Sequence, residues 1–188
     1  MDHSIRSRVD TQPPPEKVPL WVTILAFTVL FVFFVLLGIG LYKLKEKQIT
    51  VGKSAPEFSL VSYDGSLFDN EKLSGKIVVL HFWASWCTPC EGEALLVENA
   101  WRQFDERNDI VFLGISHAES EKEALTFIDE NKITYPNGSD TKAVIADAFQ
   151  IQGVPETIIL DRDGTIAYIQ IGPFLSTDSL VDIITTIY

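Results

Sequence analysis

The sequence predicts an α/β fold, with a central mixed β-sheet flanked by helices and one N-terminal transmembrane helix before it. Two observations carry this prediction. An uncharged apolar run covers residues 20–42 of the 188-residue chain. From residue 51 onward, runs of β-branched residues alternate with amphipathic segments, and the last two runs are joined by a tight turn. We therefore expect a membrane anchor followed by one globular domain over residues 51–188.

The apolar run, LWVTILAFTVLFVFFVLLGIGLY, holds 23 residues without a charge. As a helix it would span roughly 34 Å, enough to cross the hydrocarbon core of a bilayer. Trp21 and Tyr42 stand near its ends, where aromatic rings favour the membrane interface. A cleaved signal peptide is the alternative, but the apolar part of such a peptide has only about 7–15 residues. The run is therefore predicted to be a retained signal-anchor helix.

The segments on either side of the anchor are short and polar. Residues 1–19 contain three consecutive prolines and are predicted to form a polar N-terminal tail, and residues 43–50 are predicted to be a charged linker. Three basic residues precede the anchor and three follow it. Because the positive-inside rule compares these two numbers, it assigns no orientation to the domain.

Charge and cysteine content exclude two broad classes of protein. The chain has a formal net charge of −11, and residues 48–188 alone carry nine basic against twenty-two acidic residues. Such an acidic domain would be repelled by phosphate backbones, so we expect no nucleic-acid partner. Two cysteines in the whole chain rule out a disulfide-rich scaffold.

Local signals predict the first elements of the domain. The run KIVVLHFWAS, residues 76–85, predicts a buried central strand. Residues 88–107 predict a helix with Pro89 in its first turn, where the missing N–H costs nothing. Residues 109–116 predict a second strand. His81, within the central strand, is predicted to be a hydrogen-bonded core histidine rather than a ligand.

The second half of the domain is predicted to end in a hairpin and a helix. Ser120 and Glu123 have the spacing of a capping box, which predicts the start of a helix. The turn DRDG, with Gly164 where positive φ is needed, joins two further apolar runs. The predicted elements of this half are helices over 120–132, 141–149 and 176–188 and strands over 156–160 and 165–171.

The only two cysteines, Cys87 and Cys90, form a C-x-x-C pair. As a structural staple the pair would close a four-residue loop, which stabilises by only about 2 kcal/mol. A zinc site needs four ligands, and beyond the pair the chain has only three histidines and no second cysteine pair. The pair is therefore predicted to perform reversible dithiol chemistry, with no metal and no cofactor.

The position of the pair assigns a role to each sulfur. Cys87 falls where the central strand ends and the next helix begins, so backbone N–H groups and the helix dipole favour its thiolate. Cys90 lies one turn further on the same face, where it is shielded and able to attack a mixed disulfide at Cys87. We predict that Cys87 is the nucleophile and Cys90 the resolving cysteine.

Longer stretches around the pair resemble a known family. The stretches are VGKSAPEFSL at 51–60, LSGKIVVLHFWASWCTPC at 73–90 and GVPETIILDRDGTIAYIQIG at 153–172. Together they resemble the thioredoxin fold and, more narrowly, the membrane-anchored thiol–disulfide oxidoreductases of cytochrome c maturation, the TlpA, ResA and CcmG (DsbE) group. The resemblance covers residues 50–188.

The resemblance implies a substrate-binding surface around Cys87. Pro155 matches the cis-proline that faces the cysteine pair in this family. The backbone of Val154 would then be free to pair with an extended substrate segment. Trp86, Thr88 and Pro89, which surround and separate the cysteines, are predicted to line the same contact surface.

Two acidic residues stand at positions that the family uses near its dithiol. Glu93 lies one helical turn past Cys90 and matches the acid of CxxCxxE, with a role in proton relay or in tuning the thiol pKa. A solvent-exposed acid near the helix start is the alternative for this residue. Glu156 matches the acid of the family's PET motif. A carboxylate raises the pKa of a neighbouring thiol, which favours a reductant over an oxidant.

The resemblance also implies a function and a location. The domain would reduce specific disulfides outside the cytoplasm, with the C-x-x-C-H thiols of apocytochrome c as the leading client. Because a third cysteine is missing, a membrane-embedded thiol electron donor of the CcdA or DsbD type is implied. The protein would then be a single-pass protein of the cytoplasmic membrane, with its catalytic domain on the periplasmic side.

Two other functions remain open at this point. The same dithiol chemistry could serve the cysteines of an oxidase copper site, or the domain could deliver copper with His117 as a ligand. A peroxiredoxin-type peroxidase is less favoured, because a hydroxyl residue is expected three positions before the reactive cysteine and Ala84 stands there.

Overall fold

The computed structural model describes residues 19–46 and 49–188 of the chain. Two compact units are present, Met1–Lys47 and Gln48–Tyr188. The predicted polar tail, residues 1–19, lies outside the described residues except for Pro19. Of the predicted linker, residues 47 and 48 also lie outside them.

The N-terminal unit contains one long helix, α1, which runs from Leu20 to Glu46. Its segment Leu20–Gly40 is long and apolar enough to cross a membrane, and none of its most apolar stretch is buried inside the protein. The hydroxyl of Thr23 donates to the carbonyl of Leu20, so this polar group is satisfied within the helix. The helix continues past the predicted anchor into the segment predicted to be a linker.

The C-terminal unit is built on a mixed sheet, as predicted, and this sheet has five strands. The seven strands of the unit are β1 (Ser59–Val61), β2 (Leu67–Asp69), β3 (Ile77–Trp83), β4 (Ile110–His117), β5 (Asn137–Asp140), β6 (Glu156–Leu160) and β7 (Ile166–Ile171). The main sheet has the order β5-β4-β3-β6-β7, and β1 and β2 form a separate hairpin. Strands β3, β4 and β5 are parallel, while β6 and β7 are antiparallel to their neighbours.

Five helices accompany the sheet, namely α2 (Asn70–Leu73), α3 (Thr88–Trp101), α4 (Glu121–Glu130), α5 (Val144–Ala148) and α6 (Thr177–Ile187). The predicted capping box is confirmed, since the side chain of Ser120 accepts from the N–H of Glu123 and the Glu123 carboxylate accepts from that of Ser120. The predicted C-terminal end of α3 at residue 107 is wrong. The helix ends at Trp101, and Phe104 N–H instead closes a turn onto the Trp101 carbonyl at 2.8 Å.

The core lies on both faces of the sheet, because every residue of β3 is buried. One cluster of buried residues joins the sheet to α3 and α6, and it includes Cys87 and Cys90. The other cluster joins the opposite face to α5 and to Leu60 of β1. Burial of apolar surface on both faces fixes the end of β3, and thereby the place where the cysteine pair begins.

The hairpin β1–β2, the short helix α2 and strand β5 were not predicted. Strand β5 consists of Asn137-Gly-Ser-Asp, residues with little intrinsic preference for strands. The Nε1–H of Trp83 donates to the Asn137 side chain at 2.8 Å. A β-carbon on Gly138 would lie 2.5 Å from the carbonyl oxygen of Val61, so only glycine fits there. Tertiary contacts therefore stabilise this strand.

Candidate active site

The cysteine pair lies between the end of β3 and the start of α3. Cys87 is the N-cap of α3, with φ −95° and ψ 101°, and Pro89 occupies the first turn, as predicted. Cys87 and Cys90 are joined by a disulfide, with their Cα atoms 5.3 Å apart. The two sulfurs are therefore close enough to bond and to exchange with a partner's disulfide.

The helix start provides hydrogen-bond donors for one sulfur. The backbone N–H of Cys90 donates to Sγ of Cys87 at 3.2 Å. After reduction, this donor and the positive end of the helix favour a thiolate on Cys87. Cys87 is 5 % exposed and Cys90 1 %. The geometry thus agrees with Cys87 as the attacking and Cys90 as the shielded sulfur.

Glu119 positions the loop that leads into the pair, and no sequence pattern indicates this role. This carboxylate is buried, and its Oε2 accepts from the N–H of Ser85 at 3.0 Å. The N–H of Cys87 in turn donates to the carbonyl of Ala84 at 3.2 Å. The contact between Glu119 and Ser85 joins positions 34 residues apart, which no local spacing could have indicated.

A second loop meets the pair from the opposite side. The Val154–Pro155 peptide bond is cis, and the carbonyl oxygen of Val154 lies 3.5 Å from Sγ of Cys87. The N–H of Gly172, just after β7, donates to the carbonyl of Pro155 at 3.0 Å. The backbone of Val154 thus lies directly beside the sulfur of Cys87.

Glu156 organises this second loop. Its side chain is buried, and its Oε2 accepts from the backbone N–H of Gln152 at 2.9 Å. Burial raises the pKa of the Glu156 carboxyl, while the N–H groups of Gln152 and Gly153 oppose the rise. The carboxylate therefore bonds to the segment that carries Val154. A contact between Glu156 and the substrate remains a prediction.

Glu93 lies on the buried face of α3, one turn beyond Cys90. It is 1 % exposed, and its Oε2 accepts from the backbone N–H of Phe174 at 2.7 Å. Its Oε1 has no hydrogen-bond partner within residues 19–46 and 49–188. Burial raises the pKa of Glu93 to about 7, although the Phe174 N–H opposes the rise. Glu93 is thus no solvated acid near a helix start, and near neutral pH it can take up or release a proton.

His81 lies beside the unpaired oxygen of Glu93. Its Nε2 is 3.6 Å from Oε1 of Glu93, and its Nδ1 is 3.1 Å from Oγ1 of Thr157 on the neighbouring strand. Burial lowers the pKa of His81 to about 4, so the imidazole is neutral at pH 7. The prediction of a hydrogen-bonded core histidine is confirmed, and the contact with Glu93 is not an ion pair.

Of the residues predicted to bind substrate, Pro155 and Glu156 are buried, and the others are accessible around Cys87. Trp86 is 61 % exposed, and Thr88 and Pro89 are exposed at the start of α3. Val154 is half-buried on the facing loop. Their roles in binding remain predictions. Within residues 19–46 and 49–188, no cluster of three or more histidine, cysteine or acidic side chains could hold a metal ion.

Comparisons with known proteins show the family of the chain. Residues 51–169 match the model of the AhpC/TSA family. The thioredoxin-like protein YneN of Bacillus subtilis (strain 168) is 36 % identical over 132 residues, which cover 70 % of this chain and 77 % of that protein. The thiol–disulfide oxidoreductase ResA of the same organism is 26 % identical over 156 residues, covering 81 % and 86 % of the two chains.

A solved structure supports the fold independently. The solution structure of a putative protein disulfide isomerase from Bacteroides thetaiotaomicron matches with a TM-score of 0.68 and 29 % identity, covering 74 % of this chain and 90 % of that one. With a disulfide-bonded C-x-x-C pair at the start of α3, the chain belongs to the AhpC/TSA family and is a thioredoxin-like thiol–disulfide oxidoreductase.

Proposed function

We propose that this protein is anchored in the cytoplasmic membrane by residues 20–42 and reduces specific disulfides on the extracytoplasmic side. The observation that carries the proposal is the Cys87–Cys90 pair at the start of α3, with the backbone of Val154 beside its outer sulfur. The apolar helix and the likeness to ResA support the anchor and the side of the membrane. The leading client is the C-x-x-C-H segment of an apocytochrome c, whose two thiols must be free before haem is attached.

The first half of the reaction uses the thiolate of Cys87. Its sulfur attacks one sulfur of the client disulfide, the client S–S bond breaks, and the other client sulfur leaves as a thiolate. A mixed disulfide between Cys87 and the client forms. During this step an extended client segment would pair with the backbone of Val154, as a strand added to an edge.

The second half needs a proton acceptor for Cys90. In the proposal, the Cys90 thiol gives its proton to the carboxylate of Glu93, and the resulting thiolate attacks Sγ of Cys87. The mixed disulfide breaks, the client leaves fully reduced, and the Cys87–Cys90 disulfide forms. Two electrons pass from the domain to the client. A membrane-embedded dithiol donor would then return two electrons to the domain, since the chain has only two cysteines.

Trapping the intermediate tests this function. A full-length Cys90→Ser variant, purified in detergent and reduced, should form a stable mixed disulfide with an oxidised synthetic peptide containing C-x-x-C-H. The wild-type chain should release the peptide as a dithiol. Mass spectrometry of the non-reduced adduct should place the bond at Cys87. In cells, the same variant should capture apocytochrome c.

The control is the double variant Cys87→Ser, Cys90→Ser, which should form no adduct. A Cys90→Ser variant that captures no peptide, or a Cys87→Ser variant that captures it through Cys90, would contradict the assigned nucleophile. Capture of an oxidase copper-site subunit in place of apocytochrome c would retain the dithiol chemistry and overturn the client.

A further inference from the structure

The buried polar contacts beyond the disulfide form a continuous chain across the core. The chain runs from the backbone N–H of Phe174 to Glu93, from Glu93 to His81, and from His81 to Thr157. The three side chains come from α3, β3 and β6, and His81 and Thr157 are cross-strand neighbours. All three side chains are buried. Such a chain is costly unless its groups are paired, and one oxygen of Glu93 is not.

We propose that His81 is a positioning residue for the dithiol reaction, and that with Thr157 it provides a hydrogen-bond partner for Glu93 in both of its protonation states. This inference rests on the proposed role of Glu93 as the acceptor of the Cys90 proton. His81 itself is not one of the reacting groups and does not contact the substrate.

The chemistry follows from the two ring nitrogens of a neutral histidine, one of which donates while the other accepts. When Glu93 is ionised, Nε2–H of His81 donates to Oε1 of Glu93, and Nδ1 accepts from the Thr157 hydroxyl. When Glu93 is protonated, its O–H donates to Nε2, and Nδ1–H donates to Thr157. The hydroxyl of Thr157 serves as donor in one state and acceptor in the other.

The geometry requires only a small adjustment. The separation of 3.6 Å between Nε2 and Oε1 exceeds a normal hydrogen bond by about 0.5 Å. Oε2 of Glu93 is held by its hydrogen bond from the Phe174 N–H. Rotation of the carboxylate about this hydrogen bond can bring Oε1 closer to the His81 ring. Because the imidazole stays neutral at neutral pH, it can exchange tautomers without gaining a charge.

The other ionisable groups near Glu93 cannot take this role. Burial raises the pKa of Tyr135 above its usual range, and the charges of Glu93 and Glu98 raise it further. Its hydroxyl has no hydrogen-bond partner among the described residues. Glu98, on the same helix, is engaged by Arg102 and Thr134. Cys90 precedes Glu93 by one turn on α3 and is the proton donor in the proposal. The contact that the structure gives between the Glu93 carboxylate and an ionisable side chain is the one with His81, at 3.6 Å.

A two-phase reaction separates the steps at the two sulfurs. The reduced full-length chain, in detergent, is mixed with the small disulfide dithiobis(nitrobenzoate) in a stopped-flow instrument. Attack by Cys87 releases the first coloured thiolate, and attack by Cys90 on the mixed disulfide releases the second. The rate of the second phase is measured against pH, and Glu93 as acceptor requires it to rise with a midpoint near 7.

Replacing His81 with leucine should move this midpoint to higher pH. The ionised form of Glu93 loses a charge-assisted hydrogen bond, which is about twice as strong as the bond lost by the protonated form. We expect an upward shift of about one pH unit and a second phase about fivefold slower at pH 7, with the first phase unchanged. His81→Gln, whose amide can also donate or accept, should restore most of the difference.

Thr157→Val, which preserves the shape of the side chain, should move the midpoint in the opposite direction. Without the Thr157 hydroxyl, a buried Nδ1–H of His81 would have no acceptor. The His81 tautomer with Nε2–H is then favoured, and it stabilises ionised Glu93. The control Ser116→Ala removes a buried hydroxyl of the same sheet that is bonded to Tyr63, and it should leave both phases unchanged.

The outcomes distinguish the two proposals. If Glu93→Gln leaves the pH profile of the second phase unchanged, the acceptor role of Glu93 fails, and the His81 inference fails with it. If Glu93→Gln flattens the profile while His81→Leu and Thr157→Val leave its midpoint in place, the inference about His81 fails alone. Equal slowing of both phases by His81→Leu, without rescue by His81→Gln, would indicate a folding defect and would also overturn it.

Discussion

The two halves of α3 carry the same residue in opposite situations. Glu93, near the cysteine pair, and Glu98, near the other end of the helix, are 1 % and 2 % exposed. Glu98 bonds to Nε of Arg102 at 2.8 Å and accepts from the N–H and hydroxyl of Thr134 at 2.8 and 2.6 Å. Glu93 accepts from one backbone N–H on one oxygen and has a neutral imidazole 3.6 Å from the other.

The difference shows that the partners of a buried acid decide its role. A cation and two further donors fix the Glu98 carboxylate as part of the link between α3 and the segment before β5. No cation pairs with Glu93 in the part of the chain that the structure describes, so burial raises its pKa to about 7 and leaves it able to exchange a proton. The half of the helix that holds the sulfurs is thus suited to chemistry, and the other half to stability.

The largest expected effect concerns the pH dependence of stability. Glu93 has a raised pKa when folded, so its contribution is present below its unfolded value of 4.5 and is lost as pH rises through 7. His81 has a lowered pKa, so its contribution is present above its unfolded value of 6.5 and is lost as pH falls through 4. Between pH 4.5 and 6.5 the two slopes cancel, because one proton lies on Glu93 when folded and on His81 when unfolded.

Single variants should reveal the two slopes. Relative to wild type, Glu93→Gln should make the free energy of unfolding rise with pH by up to about 1.4 kcal/mol per unit between pH 4.5 and 6.5. His81→Gln should make it fall with pH by a similar amount. Urea unfolding of the full-length chain in non-ionic detergent, at several pH values, measures both. Two variants with the same slope as wild type would show that the pair does not titrate as described.

The next effect distinguishes Glu98, whose replacement should lower stability, from Glu93, whose replacement should change the rate of the resolving step. Glu98→Gln removes the charge paired with Arg102 and leaves Thr134 short of an acceptor, so we expect a loss of about 2 kcal/mol in the free energy of unfolding. The rate of the resolving step should not change. Glu91→Gln, an exposed acid on the same helix, is the control and should alter neither. A slower resolving step in Glu98→Gln would break the contrast between the two halves of the helix.

The smallest effect concerns the third buried acid near the site, Glu156. Its carboxylate accepts from the N–H of Gln152, and a glutamine side chain retains one oxygen for this bond. We expect Glu156→Gln to cost about 1 kcal/mol or less in the free energy of unfolding. Formation of the mixed disulfide should slow by no more than about threefold, since the loop that carries Val154 keeps its hydrogen bond. A loss of activity comparable to that of Cys87→Ser would assign Glu156 to the reaction itself.

Local chemistry explains which parts of the fold could be predicted. The apolar run of β3, Pro89 at the start of α3, the capping box at Ser120 and the glycine turn at Gly164 each act over a few residues, and the structure contains all four. The C-terminal end of α3 was missed because none of residues 102–107 is glycine or proline. Strand β5 was missed because its contacts with Trp83 and Val61 come from distant parts of the chain.

The candidate site divides in the same way. The cysteine roles and the helical position of Glu93 follow from spacing along one element. The protonation state of Glu93 does not follow from spacing, because its hydrogen-bond donor, Phe174, is 81 residues away and His81 contacts it from another element. His81 was correctly predicted to be a core residue, but nothing in the sequence indicates which side chain its second nitrogen faces. Glu119 is a similar case, since its bond to Ser85 depends on the turn after β4.

The Cys87–Cys90 disulfide is almost fully buried, which limits how small thiols can reduce it. With Cys87 5 % and Cys90 1 % exposed, few orientations of a small thiol allow the in-line approach that sulfur exchange needs. A partner whose extended backbone pairs beside Val154 would instead hold its own sulfur next to Cys87. We therefore expect small thiols to reduce the disulfide slowly, so that the rate of its reduction depends on how well a partner fits beside Val154.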